Sequence, residues 1–494
     1  MEIVNNKCKV KNKYLENALI CLALLGISGA IVLQSPMNPF WKTATGIDSS
    51  VFKYVAMVMA KGKMPYKDTF DHKGPLLYII NYWGQMISYY RGVWILELIS
   101  MSVFLTAAYN TCRLFCRKGI SLFLTAAICA PFAVYFQGGN LSEEYALPFL
   151  GIALYIYLDF LVNDRVSTMR LVLCGASMAG VCLIRVNMIA LWIVFSMAVL
   201  IKDGVQKKKQ SLSFIGWFLL GMILVTAPVL IWLIAKGAFA DFVRDYIMFN
   251  MKYVGDEERA GGIHKLEAFW HFLKYGLTIL ILPILAYLAA ETKEWFLHGT
   301  YLVFMLLNLY LMTMSGMKYG HYGMVMIPVM IYPYARFFGE LSNKKRSVLW
   351  QGMFILILLA LIGRPWGQIV RTDVEKLSNA RRNVENTMDY YEVEGTDVLK
   401  LMSEQLEEKD SMIVLGNENF WYLLCQKEAA SRYSYQRPIA YISNDILQEF
   451  QQDMITEKPK LVIDTQRDKR LFPNKKDYEL IFQSSDLDIY RRAE

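Results

Sequence analysis

Four residues in one loop near the start of the chain have side chains that could act together in a reaction. Asp48 stands in the first part of this loop, and Asp71, His72 and Lys73 follow one another in the second. A carboxylate beside a hydroxyl can accept its proton while the oxygen attacks. Fixed cations can hold a phosphate and offset the charge that develops as it leaves. The loop therefore predicts a site that binds a phosphate and activates a hydroxyl.

The composition places this loop in a membrane protein. Of 494 residues, 55% are hydrophobic and only 19% are charged, against about a quarter charged in a soluble protein. The mean hydropathy is +0.28, and apolar runs reach the roughly 20 residues that cross a bilayer. The net charge of +8 comes largely from basic residues that flank these runs, as orientation signals do. We expect no nucleic-acid partner.

The apolar runs predict an α-helical polytopic protein with about eleven transmembrane helices. Lysines before the first run place the N-terminus in the cytoplasm, and an odd number of spans then places the C-terminus outside the cell membrane. The run over 171–201 is too long for one span, so a turn at Arg185 is predicted to divide it. The predicted spans are 17–34, 92–111, 120–136, 145–162, two within 171–201, 213–234, 272–290, 299–314, 322–337 and 349–363.

The loop over 35–91 is too polar to be a span, and this topology places it on the outer side. Two of its segments, 49–60 and 75–90, show helical periodicity. The second is rich in tyrosine and tryptophan, which favour the interface between membrane and water. We therefore predict two interfacial helices in this loop.

Other outer turns carry further ionisable side chains. They offer adjacent Glu143 and Glu144, then Arg185, then adjacent His321 and Tyr322. Charged groups at a membrane surface are costly to desolvate and often functional. We expect these turns to converge with the first loop.

The hydropathy drops after residue 363 and stays low. This divides the chain into a transmembrane domain over 1–363 and a small extracytoplasmic α/β domain over 364–494. The second domain has no Gly-x-Gly-x-x-Gly or Walker pattern, so we expect it to support the first domain or to recognise an acceptor. Its predicted elements are helices over 396–408, 420–430 and 446–455, strands over 412–415 and 460–463, and a hairpin over 478–491.

The first loop resembles that of the GT-C superfamily of membrane glycosyltransferases, in the protein O-mannosyltransferase-like branch that includes the bacterial aminoarabinose transferase of lipid A. Asp48 matches an acidic residue that opens an interfacial helix after the first span. Lys73-Gly74-Pro75 resembles a basic motif that opens the second helix and contacts the lipid phosphate, with Gly where relatives often carry a second Pro. Glu143 or Glu144 resembles a second acidic position.

This resemblance implies an inverting glycosyltransferase that moves a hexose or pentose from a polyprenyl-phosphate donor to a hydroxyl of a glycan, lipid or protein. Asp48 would be the general base, with Glu143 or Glu144 as a second catalytic acid. No cofactor is implied, and a divalent metal held by Asp48, a glutamate and His321 is an option that the branch does not require. The residues expected to bind the donor are Lys73, Asp71, His72, Arg185, His321 and Tyr322.

Several of these candidates also have a purely structural interpretation. Asp48 could only cap the helix that follows it, and Lys73 could anchor the chain at lipid headgroups. Arg185 could bind backbone carbonyls at its turn, whereas His321 and Tyr322 could belong to an interfacial aromatic belt.

Other functions are open at this stage. A transporter or flippase of lipid-linked sugars would normally show two matching halves with broken helices, and we find no such halves. A glycan polymerase or ligase would depend on arginines and a histidine in a large later loop, whereas here the acidic first loop dominates. A scaffold without activity leaves the acid and the cations of that loop unexplained.

Overall fold

A computed structural model describes residues 2–40, 45–164, 167–206, 211–255, 262–272, 274, 294–343, 356, 359, 362–375, 377 and 394–493. The part before residue 344 is helical. Its helices are α1 (Glu2–Val32), α2 (Ile47–Ala60), α3 (Pro75–Ile87), α4 (Gly92–Arg113), α5 (Lys118–Ala127), α6 (Phe132–Tyr135), α7 (Ser142–Asn163), α8 (Thr168–Cys182), α9 (Ala190–Gln206), α10 (Ser211–Ala235), α11 (Phe239–Phe242), α12 (Phe249–Gly255), α13 (Gly262–Phe272), α14 (Trp295–Thr313) and α15 (Ile327–Asn343).

Six helical segments among the described residues are long and apolar enough to cross a membrane. The chain is therefore a multi-pass membrane protein, as predicted. The turn predicted at Arg185 is present, because α8 ends at Cys182 and α9 begins at Ala190. The predicted spans over 272–290 and 349–363 lie almost entirely outside the described residues, so the total of eleven stays a prediction. The six segments are Tyr14–Val32, Gly92–Arg113, Lys118–Tyr135, Ser142–Asn163, Ser211–Ala235 and Trp295–Thr313.

Both helices predicted in the first loop are present as α2 and α3. Helix α3 begins at Pro75, where proline fits the first turn because that position needs no N–H partner. It ends at Ile87, three residues before the predicted end, because Ser88 is in an extended conformation. The two helices pack against each other, and Gln85 of α3 donates a 2.6 Å hydrogen bond to the Lys53 carbonyl of α2.

The C-terminal part is the predicted α/β domain. Its sheet has the order β1-β2-β4-β3, in which β1 and β2 are parallel and the other pairs are antiparallel. The helix predicted over 420–430 is shorter, because Gln426 has φ 51° and ends it at Cys425. The elements are α16 (Glu394–Gln405), β1 (Met412–Leu415), α17 (Phe420–Cys425), α18 (Ile439–Ile442), α19 (Asn444–Glu457), β2 (Leu461–Asp464), β3 (Tyr478–Gln483) and β4 (Asp488–Arg492).

Helices α8 and α10 approach so closely that only glycine fits between them. A Cβ atom on Gly175 would lie 1.8 Å from the Phe218 carbonyl oxygen, and one on Gly221 would lie 2.0 Å from the Val172 carbonyl oxygen. Helices in lipid associate through such small residues because there is little hydrophobic force to drive them together.

Gly175→Ala is expected to force α8 and α10 apart and to lower stability by about 1–3 kcal/mol, the usual cost of overpacking. The measurement is the thermal unfolding midpoint of the purified protein in detergent. Gly216→Ala on α10 is the matched control, because its Cβ would meet nothing within 4 Å. Equal midpoints for the two variants would contradict this account of the packing.

Candidate active site

Seven of the predicted site residues meet in one cleft, at the end of the helix bundle where the first loop lies. The volume of the cleft is about 80 Å³. Its walls come from α2, the loop before α3, the turn after α8, the segment 319–322 and two loops of the C-terminal domain. The predicted site residues that line it are Asp48, Asp71, His72, Lys73, Arg185, His321 and Tyr322.

The loop before α3 lies directly against the turn after α8. The backbone N–H of Gly74 donates to the Ile184 carbonyl at 2.8 Å, and that of Leu76 donates to the Leu183 carbonyl at 2.9 Å. A Cβ atom on Gly74 would lie 2.2 Å from the Leu183 carbonyl oxygen. This close approach explains why glycine stands between Lys73 and the proline that begins α3.

Asp48 lies in the first turn of α2 and faces the cleft. The N-cap of α2 is Gly46, and no side chain caps the helix, so capping does not account for Asp48. Its side chain is 48% exposed, which leaves the carboxylate accessible from the cleft. The next residue, Ser49, is buried and accepts a 2.8 Å hydrogen bond from the Asn140 side chain, which fixes this end of the helix.

His321 approaches Asp48 from the opposite wall of the cleft. Its Nε2 lies 3.7 Å from Oδ2 of Asp48. On the other side of the ring, Nδ1 lies 3.0 Å from Oε1 of Gln137, which also accepts from the His321 backbone N–H at 3.1 Å. Nδ1 therefore carries a hydrogen, and the ring stacks on Tyr319 with centroids 5.7 Å apart. His321 is thus part of the cleft wall.

Asp71 is buried at the base of the cleft and is well supplied with hydrogen-bond donors. Its Oδ1 accepts from the His72 backbone N–H and from the Tyr435 hydroxyl, both at 2.7 Å, and its Oδ2 accepts from the Tyr78 hydroxyl at 2.8 Å. Burial raises the pKa of Asp71, whereas the neighbouring Lys73 and these hydroxyls oppose the rise.

His72 and Lys73 form a hydrogen-bonded pair in the cleft. Burial, and then the charge of Lys73, lower the pKa of His72 well below 6.5, so its ring is neutral at neutral pH. The Lys73 ammonium donates to Nε2 of His72 at 3.0 Å, and Nδ1 donates to Oδ1 of Asn250 at 3.2 Å. Burial also lowers the pKa of Lys73, an effect that the charge of Asp71 opposes.

Arg185 is held by partners on two other segments. It pairs with Glu143 of α7, and its guanidinium lies over the Tyr322 ring, 4.3 Å from the centroid. Burial lowers the pKa of Arg185, but Tyr322 and Glu143 raise it above its ordinary value. The partners of the Arg185 side chain are therefore a carboxylate and an aromatic face, and not the backbone carbonyls of its own turn.

The two adjacent glutamates point in different directions. Glu143 reaches the cleft only through Arg185, and the Ser142 hydroxyl donates to it at 2.9 Å. Glu144 is buried and lies close enough to Glu97 of α4 to interact with it electrostatically. Glu97 in turn accepts hydrogen bonds from Ser35 and from the Asn140 backbone.

Sequence patterns missed the residues that the C-terminal domain contributes. Asn417, Tyr435 and Arg437 line the cleft together with Tyr253. Asn417, Tyr435 and Arg437 lie in loops far along the chain, and no local pattern links them to Asp48 or Lys73. Only the tertiary contacts between the two domains reveal them.

The described residues offer little to a metal ion. No group of three or more His, Cys, Asp and Glu side chains among them could hold one. The combination of Asp48, a glutamate and His321 is not assembled, because Glu143 is engaged by Arg185.

Comparison with known proteins identifies a family. Residues 6–348 match the family model described as "Putative competence-induced protein Ccs4 N-terminal domain". The chain belongs to this family. No curated protein matched the chain.

Solved structures share the fold of this family member. ArnT from Cupriavidus metallidurans bound to undecaprenyl phosphate is 11% identical with a TM-score of 0.60, over 96% of this chain and 98% of that chain. The apo state of ArnT from the same organism is 10% identical with a TM-score of 0.58, over the same shares of the two chains. The archaeal oligosaccharyltransferase AglB from Archaeoglobus fulgidus, in complex with an inhibitory peptide and a dolichol-phosphate, gives 12% and 0.53 over 98% of this chain and 75% of that chain. The resemblance to the GT-C superfamily is confirmed at the level of the fold.

Removing Arg185 is expected to leave Glu143 buried without its cation. Arg185→Met should therefore lower stability by about 3–5 kcal/mol, the usual cost of breaking a buried ion pair. The double variant Arg185→Met/Glu143→Gln should recover much of this loss, since no charge then lacks a partner. Thermal unfolding midpoints of the parent, both single variants and the double variant test this, and additive losses would contradict the pairing.

Proposed function

We propose that this protein is an inverting glycosyltransferase that moves a sugar from a polyprenyl-phosphate donor to an acceptor hydroxyl at the outer face of the cell membrane. The observation that carries the proposal is the cleft itself. It presents the accessible Asp48 carboxylate together with Lys73 and Arg185, the acid and the cations that such a transfer needs.

Lys73 and Arg185 are assigned to the donor phosphate. Both line the cleft, and Lys73 is close enough to Arg185 for the two charges to influence each other. A phosphate placed between them would receive charge-assisted hydrogen bonds from both. The shared fold supports this class of donor, because ArnT is bound to undecaprenyl phosphate and AglB to a dolichol-phosphate.

Asp48 is assigned as the general base. The acceptor hydroxyl transfers its proton to the Asp48 carboxylate as its oxygen bonds to the anomeric carbon. The bond from that carbon to the phosphate oxygen breaks, and its electron pair stays on the lipid phosphate, where Lys73 and Arg185 offset the charge. Attack opposite the leaving phosphate inverts the anomeric carbon. Nε2 of His321 stands 3.7 Å from Oδ2 of Asp48, beside the base.

The acceptor is assigned to the side of the cleft formed by the C-terminal domain. A lipid-linked donor enters from the bilayer, so the acceptor approaches from the opposite side, where Asn417 and Arg437 line the cleft. With the N-terminus cytoplasmic and the odd number of spans predicted above, this domain is extracytoplasmic. The acceptor belongs to the glycans, lipids or proteins of the cell envelope, and the reaction needs no cofactor.

Asp48→Asn is expected to lower transfer by at least about a hundredfold, because asparagine keeps the size of the side chain but cannot take the proton. The assay is transfer by purified protein from a panel of polyprenyl-phosphate sugars, with donor affinity measured in parallel. Donor binding and the unfolding midpoint should stay near those of the parent.

Two outcomes would overturn this assignment in different ways. Normal turnover by Asp48→Asn would remove Asp48 from the chemistry. A parent that binds the lipid donors but transfers no sugar of the panel would favour a transporter or flippase. A polymerase or ligase would be recognised by products that carry repeated sugar units.

Donor affinity is expected to fall at high pH through Lys73. Because burial lowers the pKa of Lys73 below its ordinary value of 10.5, the ammonium loses its proton as the pH rises through this lowered pKa. Lys73→Arg should remove this alkaline loss, since arginine stays charged. The measurement is the dissociation constant for undecaprenyl phosphate against pH, with Lys118→Arg on α5 as the control. An alkaline loss unchanged in Lys73→Arg would show that another group titrates.

A further inference from the structure

Asp71 and Lys73 carry opposite charges in one cleft but do not form an ion pair. They are two residues apart, both line the cleft, and each charge influences the pKa of the other group. Within the described residues, the Lys73 ammonium has one hydrogen-bond partner, Nε2 of His72. A carboxylate near an ammonium normally closes on it, because charge-assisted hydrogen bonds are strong. Something therefore holds Asp71 back.

The other hydrogen bonds of Asp71 explain how it is held. Its Oδ1 accepts from the Tyr435 hydroxyl and its Oδ2 from the Tyr78 hydroxyl. Burial and the charge of Asp71 raise the pKa of both tyrosines well above 10.0, so both remain hydrogen-bond donors across the working pH range. Tyr78 belongs to α3, whereas Tyr435 reaches the cleft from the C-terminal domain.

Tyr435 is fixed in place by its own segment, residues 429–435, which we call the docking segment. The Arg432 carbonyl accepts a 2.8 Å hydrogen bond from the Phe70 backbone N–H. The Arg432 guanidinium donates to the Tyr66 carbonyl at 2.9 Å and pairs with Asp245. The docking segment is therefore tied to the same loop that carries Asp71.

We propose that Tyr435 is a positioning residue of the C-terminal domain that holds the Asp71 carboxylate away from Lys73, so that the Lys73 ammonium stays available to an anionic phosphate in the cleft. The proposal rests on the polyprenyl-phosphate donor proposed above. It adds the residue that keeps the Lys73 ammonium available to the phosphate of this donor. An ammonium has three N–H donors; one is given to His72, which leaves two for phosphate oxygens. Without the Tyr435 hydroxyl, Oδ1 keeps only the His72 backbone N–H as a donor, so the carboxylate turns toward Lys73 and competes with the phosphate.

The charged and titratable groups that influence this pair come from several segments around the cleft. Lys73 is influenced by Asp71, Arg185, Asp48 and Glu143, and Asp71 by Lys73, Tyr435 and Tyr78. Tyr435→Phe removes only the hydrogen bond from Tyr435 to Asp71, since phenylalanine keeps the ring.

The first test measures Lys73 directly and needs no ligand. Purified protein is labelled with acetic anhydride over a range of pH, and acetylation of Lys73 is followed by mass spectrometry, which gives the pH at which its amine is half deprotonated. Tyr435→Phe should raise this midpoint by about half a pH unit or more, because Asp71 then pairs with the ammonium. Tyr478→Phe, which loses a 3.0 Å hydrogen bond to the Pro459 carbonyl inside the C-terminal domain, should match the parent.

The second test asks whether Tyr435 acts through Asp71. With undecaprenyl phosphate as the probe, Tyr435→Phe should weaken binding about threefold to tenfold, the worth of one hydrogen bond. In an Asp71→Asn background the same substitution should have no effect on affinity or on the labelling midpoint, because no carboxylate remains to compete. The KM for the donor should rise while kcat changes less.

Each outcome decides the matter. An unchanged midpoint in Tyr435→Phe overturns the proposal, and so does a lower one, which would mean that Tyr435 acts by keeping Asp71 ionised. An effect that persists with Asp71→Asn would show a purely structural role. If the parent does not bind undecaprenyl phosphate but the midpoints move as expected, the proposed donor is wrong and the positioning role of Tyr435 stands.

Discussion

The backbone of Gly74 and Leu76 rests directly against the turn after α8, and the other parts of the cleft depend on this contact. It places Lys73 beside Arg185, and Arg185 links the loop to Glu143 of α7 and to Tyr322. One close approach thus joins the first loop to several helices. Because a Cβ atom at position 74 would lie 2.2 Å from a carbonyl oxygen, no other residue type allows it without movement of the loop.

Two cations, Lys73 and Arg185, lie close together in the cleft. Their positive charges need compensating partners where water is excluded. Arg185 is compensated by Glu143, which is 1% exposed, and by an aromatic ring. Lys73 has a neutral histidine as its direct partner, whereas the acid nearest in sequence is engaged by tyrosines. Both cations line the cleft, and the Lys73 ammonium gives only one of its N–H donors to His72. This suits a ligand with several negative oxygens.

Much of the helical framework could be predicted from the sequence, because apolar runs and their basic flanks are local signals. The break at Arg185 and the two loop helices followed from length and periodicity. The convergence of Asp48, Lys73 and Arg185 was expected from their shared side of the membrane. The contribution of Tyr435 could not be predicted, since no local pattern marks a loop tyrosine that pairs with an aspartate 364 residues away. The ends of α3 and α17 depended on single backbone conformations that propensity does not reveal.

That sequence separation has a consequence for how the protein is made. The first loop emerges from the ribosome long before the docking segment, and at ~5–20 residues per second the delay is on the order of 20–70 s. During this interval Asp71 lacks one of its hydrogen-bond donors and the cleft lacks one wall. The site is completed only when the docking segment has been synthesised. Biosynthesis therefore includes a built-in delay between membrane insertion and the first moment at which the cleft is whole.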